Sequence, residues 1–487
     1  MSQTPEARAI RSDSANAAAC DGHAATIAPR SHAMAITATG AAFFMIVLDT
    51  SIVNLALPSI REAFHANLTS LQWLVDGYAL VFASLLLTAG ALGDRYGARR
   101  MFMLGLALFS GASAACGLAV GMTSLQAARV IQGMGAALLL PNSLAALNHT
   151  VRDGRIRSAA VAAWASAGAL GIALGPVLGG LLVQFIDWRS IFLINVVIGG
   201  LALGLAARHV ASGPRLVGRE VDLMGQILVV AALGAGTYSL IALGHPGPAS
   251  RPALASAGGA LLLAGAFLVV ETRHAQPMLP LDLLLKSPTG KVALVGLLHN
   301  IGVYGLIFVL SLSFQQLRAM SPLGAGLSFV PLTLALAVGT RVGARLLDRH
   351  GPRKPLLWGH GLAAVGAAAL AIVGLGHGLV GPALACCAIG AGAGLTTPAM
   401  SLAALDGAER RRSGLASGLL NSARQTGGVI GVAILGALLG DPATLHGMRL
   451  AAMASMLAFL CASAVAIRVR ICRARRPEPH SATGTDF

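Results

Sequence analysis

Long apolar segments dominate this sequence and limit the folds that it can adopt. A helix that spans a lipid bilayer needs about 20 mostly apolar residues. The runs found here lack the alternation of apolar and polar residues that membrane β-strands require, and they are too long for such strands. We therefore predict an all-α integral membrane protein with fourteen transmembrane helices, at residues 34–58, 71–92, 101–120, 123–148, 158–184, 189–207, 223–243, 253–270, 290–314, 323–346, 355–375, 379–403, 413–440 and 448–468.

The composition excludes most classes of soluble protein. Hydrophobic residues make up 55% of the 487 residues and charged residues only 11%, against about 25% charged residues in a typical soluble domain. The net charge of +16 comes from small groups of Arg and Lys between the apolar runs. This distribution argues against nucleic-acid binding. The six cysteines show no spacing typical of a metal site, and we expect no metal and no cofactor.

The basic residues predict the orientation of the chain. With fourteen spans both termini lie on one side, and that side collects 27 of the 35 Arg and Lys residues. The other side has five, and three fall inside spans. Because basic loops stay in the cytoplasm during insertion, we expect cytoplasmic termini.

The two ends of the chain differ from the apolar part. Residues 1–33 are polar and rich in Ala and Ser, and we predict a disordered cytoplasmic tail. The run at 34–58 is too long for the apolar part of a signal peptide, so it reads as an uncleaved membrane helix. Residues 469–487 are predicted to form a basic cytoplasmic tail.

An internal repeat divides the chain into two halves. The pattern D-R-x-G-x-R occurs at Asp94–Arg99 and again at Asp348–Arg353, 254 residues later. The repeat predicts two parallel six-helix bundles, at 34–208 and 289–468, with two extra helices in a linker at 209–288. Two such halves are typical of a transporter with its substrate site near the midplane between them.

Six segments carry a resemblance to a known family: Leu48–Pro58, Gly90–Arg100, Arg129–Gly135, Gly168–Gly180, Trp188–Asn195 and Gly418–Gly428. Gly90–Arg100 resembles the signature loop of the major facilitator superfamily. Leu48–Pro58 resembles the first-helix motif of its fourteen-helix drug:proton antiporters, and Gly168–Gly180 resembles the fifth-helix motif associated with antiporters. The match extends over about residues 38–465, and the chain is identified as a member of this family.

The resemblance implies a proton-coupled antiporter of the bacterial inner membrane. It would export amphipathic drugs, antibiotics or toxic metabolites by alternating access, as a monomer whose partners are substrate, protons and lipid. An uptake symporter for a small metabolite is the alternative within transport. A pore and a membrane-embedded enzyme are alternatives from other classes, although no paired His/Asp or Ser/His groups favour an enzyme. The chain lacks the G-x-x-x-x-G-K-[ST] pattern of ATPases.

The repeated loops are candidates for a cytoplasmic gate. An Asp can pair with Arg or cap a helix, and glycines allow close packing and a tight turn. A basic loop that only fixes orientation is the alternative. The candidate gate residues are Gly90, Gly93, Asp94, Arg95, Gly97, Arg99, Arg100, Asp348, Arg349 and Arg353.

The fifth span carries glycines at four-residue spacing, which places them on one helix face. Small residues let helices approach closely in lipid, and a proline permits a bend. The resemblance implies that this face seals the interface and favours antiport, whereas generic helix packing is the alternative. The residues are Gly171, Gly175, Pro176, Gly179 and Gly180.

Ionisable residues inside spans are candidates for proton coupling. Asp49 lies nearest the midplane, and Asp76 and Arg129 lie closer to the outer end of their spans. A charge at this depth costs about 2.5–3.5 kcal/mol on insertion scales, so such residues face a cavity, bind a proton or pair. We rank Asp49 first as proton carrier and Asp76 second. An Asp49–Arg129 pair that only stabilises the fold is the alternative.

Other polar residues in spans are candidates for the substrate cavity, although each is also suited to hydrogen bonding between helices. His299 is the one span histidine that we single out, and it has no partner in its own span. The tenth span contains Arg341 and no acid, so we expect no strong preference for multivalent cations. The cavity candidates are Asn54, Gln132, Asn142, Asn300, Tyr304, Asn421 and Arg424.

Overall fold

The computed structural model describes residues 29–151, 153–213, 222–243, 250–274, 277–279, 281–375, 378, 380–408 and 412–469. These residues form helices and connecting turns, with no strand among them. Most of both predicted tails, at 1–28 and 470–487, and the linker stretches 214–221 and 244–249 lie outside the described residues.

Fourteen helices of the described chain are long and apolar enough to span a membrane, and each matches one predicted run. This agreement confirms the prediction of a fourteen-helix membrane protein. In chain order they are α1 (Pro29–Phe64), α2 (Leu68–Tyr96), α3 (Ala98–Gly117), α4 (Met122–Thr150), α5 (Gly154–Phe185), α6 (Ser190–His209), α7 (Leu223–Leu243), α8 (Ser250–Arg273), α9 (Pro288–Gln316), α10 (Pro322–His350), α11 (Arg353–Val373), α12 (Val380–Asp406), α13 (Ser413–Leu439) and α14 (Leu445–Ile467).

Some boundaries differ from the sequence-based expectation. α1 begins at Pro29, five residues before the predicted start, because the helix continues into the polar segment. α10 consists of the short helix Pro322–Ser328 and the longer helix Val330–His350. Pro331, which has no N–H, lies next to this break. A further short helix, Leu281–Leu285, precedes α9.

An ion pair connects the short helix Leu281–Leu285 to the start of α13. Arg412 Nη1 donates to Asp282 Oδ2 over 2.6 Å. This hydrogen bond holds the pKa of Asp282 below its usual range.

The two halves repeat the same helix contacts. In the first half α1 packs against α4, α5 and α6, α3 packs against α4 and α6, and α2 packs against α3 and α4. The second half repeats each pair with helices eight positions later, so that α9 packs against α12, α13 and α14. Two six-helix bundles of equivalent architecture result, as the repeat predicted.

The two additional helices lie at the edge of the molecule. α7 and α8 pack against each other, and α7 also contacts α2 of the first bundle and α13 of the second. Only 22% and 11% of their most apolar segments are buried, against 67% for α1. Their apolar surfaces therefore face lipid, and α7 lies along a seam between the bundles.

Most hydrogen bonds between the bundles lie toward one face of the molecule, where α1 and α13 end and α2 begins. We call this the Asp441 face, and the opposite one the Asp94 face. Deeper between α2 and α13, Ser422 Oγ also donates to the Ala83 carbonyl over 2.7 Å. At the Asp441 face Arg61 forms an ion pair with Asp441. Gln72 Nε2 donates to the carbonyls of Val432 and Ala433 over 3.1 and 3.0 Å.

The first and ninth helices add further bonds at the same face. Ser311 Oγ donates to the Asn54 carbonyl over 2.6 Å, and Gln315 Nε2 donates to the Leu55 carbonyl over 3.1 Å. These contacts close the space between the bundles on the Asp441 side.

Candidate functional site

A buried ion pair lies at the centre of the first bundle. Arg129 Nη1 of α4 donates to Asp49 Oδ2 of α1 over 2.6 Å, and both residues are buried. Gln132 Nε2 and Asn195 Nδ2 donate to Asp49 Oδ1 over 2.8 and 2.9 Å. Asp49 therefore accepts three hydrogen bonds, which together compensate its transfer from water.

Further contacts hold Arg129 in place. Arg129 Nη1 also donates to Gln132 Oε1 over 2.7 Å, and Gln132 in turn donates to Ser113 Oγ over 2.9 Å. The guanidinium carbon lies 4.1 Å from the ring centroid of Tyr78, a cation–π contact. The network joins helices α1, α2, α3, α4 and α6, and its only two charges cancel.

A small cavity of about 30 Å³ lies beside this network, between the two bundles. It has room for about one or two water molecules, so the bundles must move apart before a drug-sized substrate can enter. The wall is mainly apolar, with several polar groups. The lining residues are Thr50, Val53, Asn54, Val75, Asp76, Tyr78, Ala79, Arg129, Tyr304, Gln425, Gly428 and Val432.

Asp76 differs from Asp49 in its surroundings. Its side chain is buried in the wall of the cavity, yet neither carboxyl oxygen has a hydrogen-bond partner among the described residues. Asn54 Oδ1, which belongs to the same wall, also has none in the part of the chain that the structure describes. A buried polar atom without a partner costs about 1–3 kcal/mol. This wall therefore offers donors and acceptors to whatever enters the cavity.

The predicted cavity residues divide into three groups. Asn54 and Tyr304 line the cavity, and Gln132 belongs to the Asp49 network beside it. Asn142 lies toward the Asp94 face, where its Nδ2 donates to the Ala89 carbonyl over 3.0 Å and joins α4 to α2.

The remaining candidates belong to the second bundle. Asn300 Nδ2 of α9 donates to the Arg424 carbonyl of α13 over 2.8 Å. Asn421 donates to Ser417 within its own helix and is partly exposed. Arg424 follows one turn after Asn421, beside Tyr304 and next to the cavity residue Gln425.

The glycines of α5 serve two different contacts. A Cβ added at Gly171 would lie 2.9 Å from the Phe44 carbonyl oxygen, and one added at Gly179 would lie 2.7 Å from Ile52 Cγ1. Gly175 also lies against α1, so all three glycines pack on this helix. Gly180 instead faces the second bundle, where an added Cβ would lie 2.7 Å from Leu323 Cα. The Pro176 carbonyl meets Gly326 at the same interface.

The repeated loops have the same backbone turn. Gly97, between α2 and α3, has φ +99°, and Gly351, between α10 and α11, has φ +73°. Residues with a side chain adopt such φ values rarely. Arg99 Nη2 donates to the Ala207 carbonyl over 2.6 Å, which ties the first loop to the end of α6. Asp94 is half-buried, whereas Asp348 is exposed.

The remaining gate candidates are either glycines packed against α4 or exposed arginines. Gly93 leaves room for the Asn142 side chain, and Gly90 lies near Pro141 of α4. The basic candidates Arg95, Arg100, Arg349 and Arg353 are exposed.

A second histidine lies beside His299, which looked isolated in the sequence. The ring of His360 on α11 lies 5.3 Å away, centroid to centroid. Nothing in the sequence indicates this pair, because α10 separates α9 from α11 in the chain. Both rings are buried, and His360 Nδ1 lies 2.7 Å from the Leu356 carbonyl oxygen.

Several residues of the site were not singled out from the sequence. Ser113 belongs to the Asp49 network, and the apolar or small lining residues carry no chemical signal. Gln425 was within reach of a sequence argument, because it is a polar residue in a span next to Arg424.

Comparison with known proteins agrees with this architecture. The family model described as "Major Facilitator Superfamily" matches residues 39–432. The methylenomycin A resistance protein of Streptomyces coelicolor is 35% identical over 465 residues, which cover 92% of this chain and 93% of that protein. The drug efflux pump JefA of Mycobacterium tuberculosis is 34% identical, covering 83% of this chain and 80% of that protein. The tetracenomycin C resistance and export protein of Streptomyces glaucescens is 32% identical, covering 83% and 76%.

Solved structures share the fold at low sequence identity. An auto-inhibited peptide transporter of the POT family superposes with a TM-score of 0.68 at 14% identity, covering 92% of this chain and 99% of that one. A bacterial homologue of the lysosomal transporter Spinster gives a TM-score of 0.62 at 17% identity, covering 91% of this chain and 97% of that one.

The family model and the sequence relatives show that the chain belongs to the Major Facilitator Superfamily, as a multi-pass membrane transporter rather than an enzyme.

Proposed function

We propose that this protein is a proton-coupled antiporter that exports amphipathic drugs or antibiotics from the cytoplasm of a bacterium. The observation that carries the proposal is Asp76, a buried carboxyl group in the wall of a cavity between the bundles, for which the described chain provides no hydrogen-bond partner. A group of this kind can bind either a proton or a donor group of a substrate, and competition between the two is the basis of exchange. Its relatives include a drug efflux pump, an antibiotic resistance protein and an antibiotic resistance and export protein, which supports export of drug-like compounds.

We assign the exchanged proton to Asp76 rather than to Asp49. The sequence ranked Asp49 first because of its depth. The contacts favour Asp76, since protonation of Asp49 would break its ion pair with Arg129 and leave a buried guanidinium without a counter-charge. Protonation of Asp76 breaks no contact of the described chain. Asp49 and Arg129 then act as a neutral framework that positions Tyr78 in the cavity wall.

The other predicted roles remain part of this proposal. The loops around Asp94 and Asp348 form the gate at the Asp94 face, which is cytoplasmic. Gly180 and Pro176 of α5, which meet the start of α10 across the bundle interface, seal the Asp441 face when the cavity opens to the cytoplasm. The protein acts as a monomer in the inner membrane, with protons and a small amphipathic substrate as its partners.

Proton-driven transport in proteoliposomes tests the assignment. The reconstituted chain should accumulate a substrate dye when a proton gradient is imposed, and Asp76→Asn should abolish this accumulation while still allowing downhill exchange. Asp406→Asn makes the same change of acid to amide at an exposed position at the end of α12; it is the matched control and should retain gradient-driven transport. In the same assay Asp94→Ala should slow exchange.

Two results would contradict the proposal. If Asp76→Asn still concentrates the dye against its gradient, Asp76 does not carry the proton. If dye and protons move in the same direction, the protein is an uptake symporter.

A further inference from the structure

Arg424 of α13 is a cation within the membrane region that lacks a carboxylate partner. The guanidinium of Arg129, by contrast, is deeply buried and is paired with Asp49. No carboxylate of the described chain lies within 4 Å of Arg424, and its Nε is buried without a hydrogen-bond partner. An unpaired charge in a membrane interior is costly, so such a residue marks a place where an opposite charge binds.

The neighbours of Arg424 fix its position but do not neutralise it. Its side chain crosses α9 at Gly296, where an added Cβ would lie 3.0 Å from Arg424 Cγ. Asn300 Nδ2 donates to its backbone carbonyl, and Tyr304 and His299 lie near its side chain. None of these side chains is an acid. Arg424 as a whole is partly buried.

Arg424 lies close to the cavity that contains Asp76. Tyr304, which lies near Arg424, lines the cavity, and so does Gln425, the next residue of α13. The cavity therefore has one carboxyl group of the first bundle in its wall and one guanidinium of the second bundle nearby. A molecule in the cavity can contact both bundles through charged groups.

The balance of charge restricts which substrates fit. The Asp49–Arg129 pair is neutral, which leaves Asp76 and Arg424. If binding displaces a proton from Asp76, a purely anionic substrate would meet the carboxylate of Asp76 and be repelled. A purely cationic substrate would satisfy Asp76 but leave Arg424 unpaired. A molecule with a cationic or donor group and a separate acidic group satisfies both.

We propose that Arg424 binds a carboxylate of the transported compound, while a cationic or hydrogen-bond-donating group of the same compound occupies Asp76. This inference rests on the proposed antiport and adds the chemical class of the substrate, an amphipathic zwitterion. A guanidinium can hold a carboxylate through two parallel hydrogen bonds, which a lysine ammonium cannot do.

A pair of dyes that differ in one group tests the substrate class. The probes are an amino-rhodamine with a free carboxylate and the methyl ester of the same dye, each offered to proteoliposomes of the full chain under a proton gradient. The wild-type protein should transport the acid about 10- to 100-fold faster than the ester, since a hydrogen-bonded charge contributes about 1.5–3 kcal/mol.

Variants then locate the effect. Arg424→Gln should reduce transport of the acid to the rate of the ester and leave the ester unchanged, whereas Arg424→Lys should retain part of the preference. Arg449→Gln removes the same charge at an exposed position of α14 and should not change the ratio. The wild-type ratio of acid to ester does not depend on how any variant folds.

The outcomes separate this inference from the proposed function. Gradient-driven transport of the ester at or above the rate of the acid would overturn the inference while leaving antiport in place. An unchanged acid-to-ester ratio in a folded Arg424→Gln protein would also overturn it. If neither dye follows the proton gradient in the wild type, the proposed antiport fails, and the substrate class fails with it.

Discussion

At the scale of single residues, Asp49 and Arg129 stabilise the fold only as a pair. Both side chains are enclosed, with 0% and 1% of their surface exposed. Removal of one partner leaves a buried charge without compensation, which typically costs about 3–5 kcal/mol, whereas removal of both charges costs much less. The two residues therefore form one energetic unit.

A double-mutant cycle measures this coupling. Arg129→Gln and Asp49→Asn should each lower the free energy of unfolding in detergent by several kcal/mol, about 3–5 for the loss of one partner. The double variant D49N/R129Q should be more stable than the sum of the single effects predicts. Unfolding by denaturant measures the stability of each variant. If the losses in the two single variants add up to the loss in the double variant, the two residues are not coupled.

The sequence predicted this pair better than it predicted the cavity. Asp49 and Arg129 are opposite charges in membrane spans, and such residues must find partners. In the sequence Asp76 differed from Asp49 only in its depth, and this difference placed it second. Its free carboxyl group depends on which side of α2 meets α13, and neither periodicity nor composition fixes that side. The same holds for His299 and His360, which only the packing of α9 on α11 brings together.

At the scale of helices, close backbone contact sets the packing of α5 on α1. The four-residue spacing of the glycines predicted one packed face, and Gly171 and Gly179 do lie against α1. The sequence did not reveal that Gly180, one position later, lies against α10 of the other bundle. Adjacent residues point in different directions on a helix, so neighbouring glycines can serve two interfaces.

Alanine substitutions separate packed glycines from tolerant ones. In Gly171→Ala the new methyl group would lie 2.9 Å from the Phe44 carbonyl oxygen and 3.1 Å from the Leu48 nitrogen, both backbone atoms. We expect a loss of about 1–3 kcal/mol from overpacking. Gly204→Ala on α6 meets nothing within 4 Å and should be neutral or slightly stabilising because alanine favours helix. Thermal unfolding of the two variants compares them, and equal stability would refute close packing at Gly171.

At the scale of the whole molecule, the two bundles meet mainly through side chains of the Asp441 face. The repeated contacts inside each bundle are extensive, whereas the bonds between bundles involve a few groups such as Arg61, Asp441 and Gln72. Bundles of this kind can move as rigid bodies when such bonds break. The repeat predicted the two bundles, but which face is closed depends on side-chain contacts between distant parts of the chain.

Cysteine labelling tests the orientation that alternating charge predicts. In a background without the six native cysteines, Arg95→Cys and Arg349→Cys should resist a membrane-impermeant maleimide in intact cells and react after the membrane is opened. Arg449→Cys, which is exposed near the start of α14 on the Asp441 face, should react in intact cells. All three positions are exposed arginines, so a difference in labelling reports the side of the membrane rather than burial. Labelling of Arg95→Cys from outside would show that the orientation is the opposite of the predicted one. The closed Asp441 face would then point to the cytoplasm. That arrangement is incompatible with export that begins from this conformation.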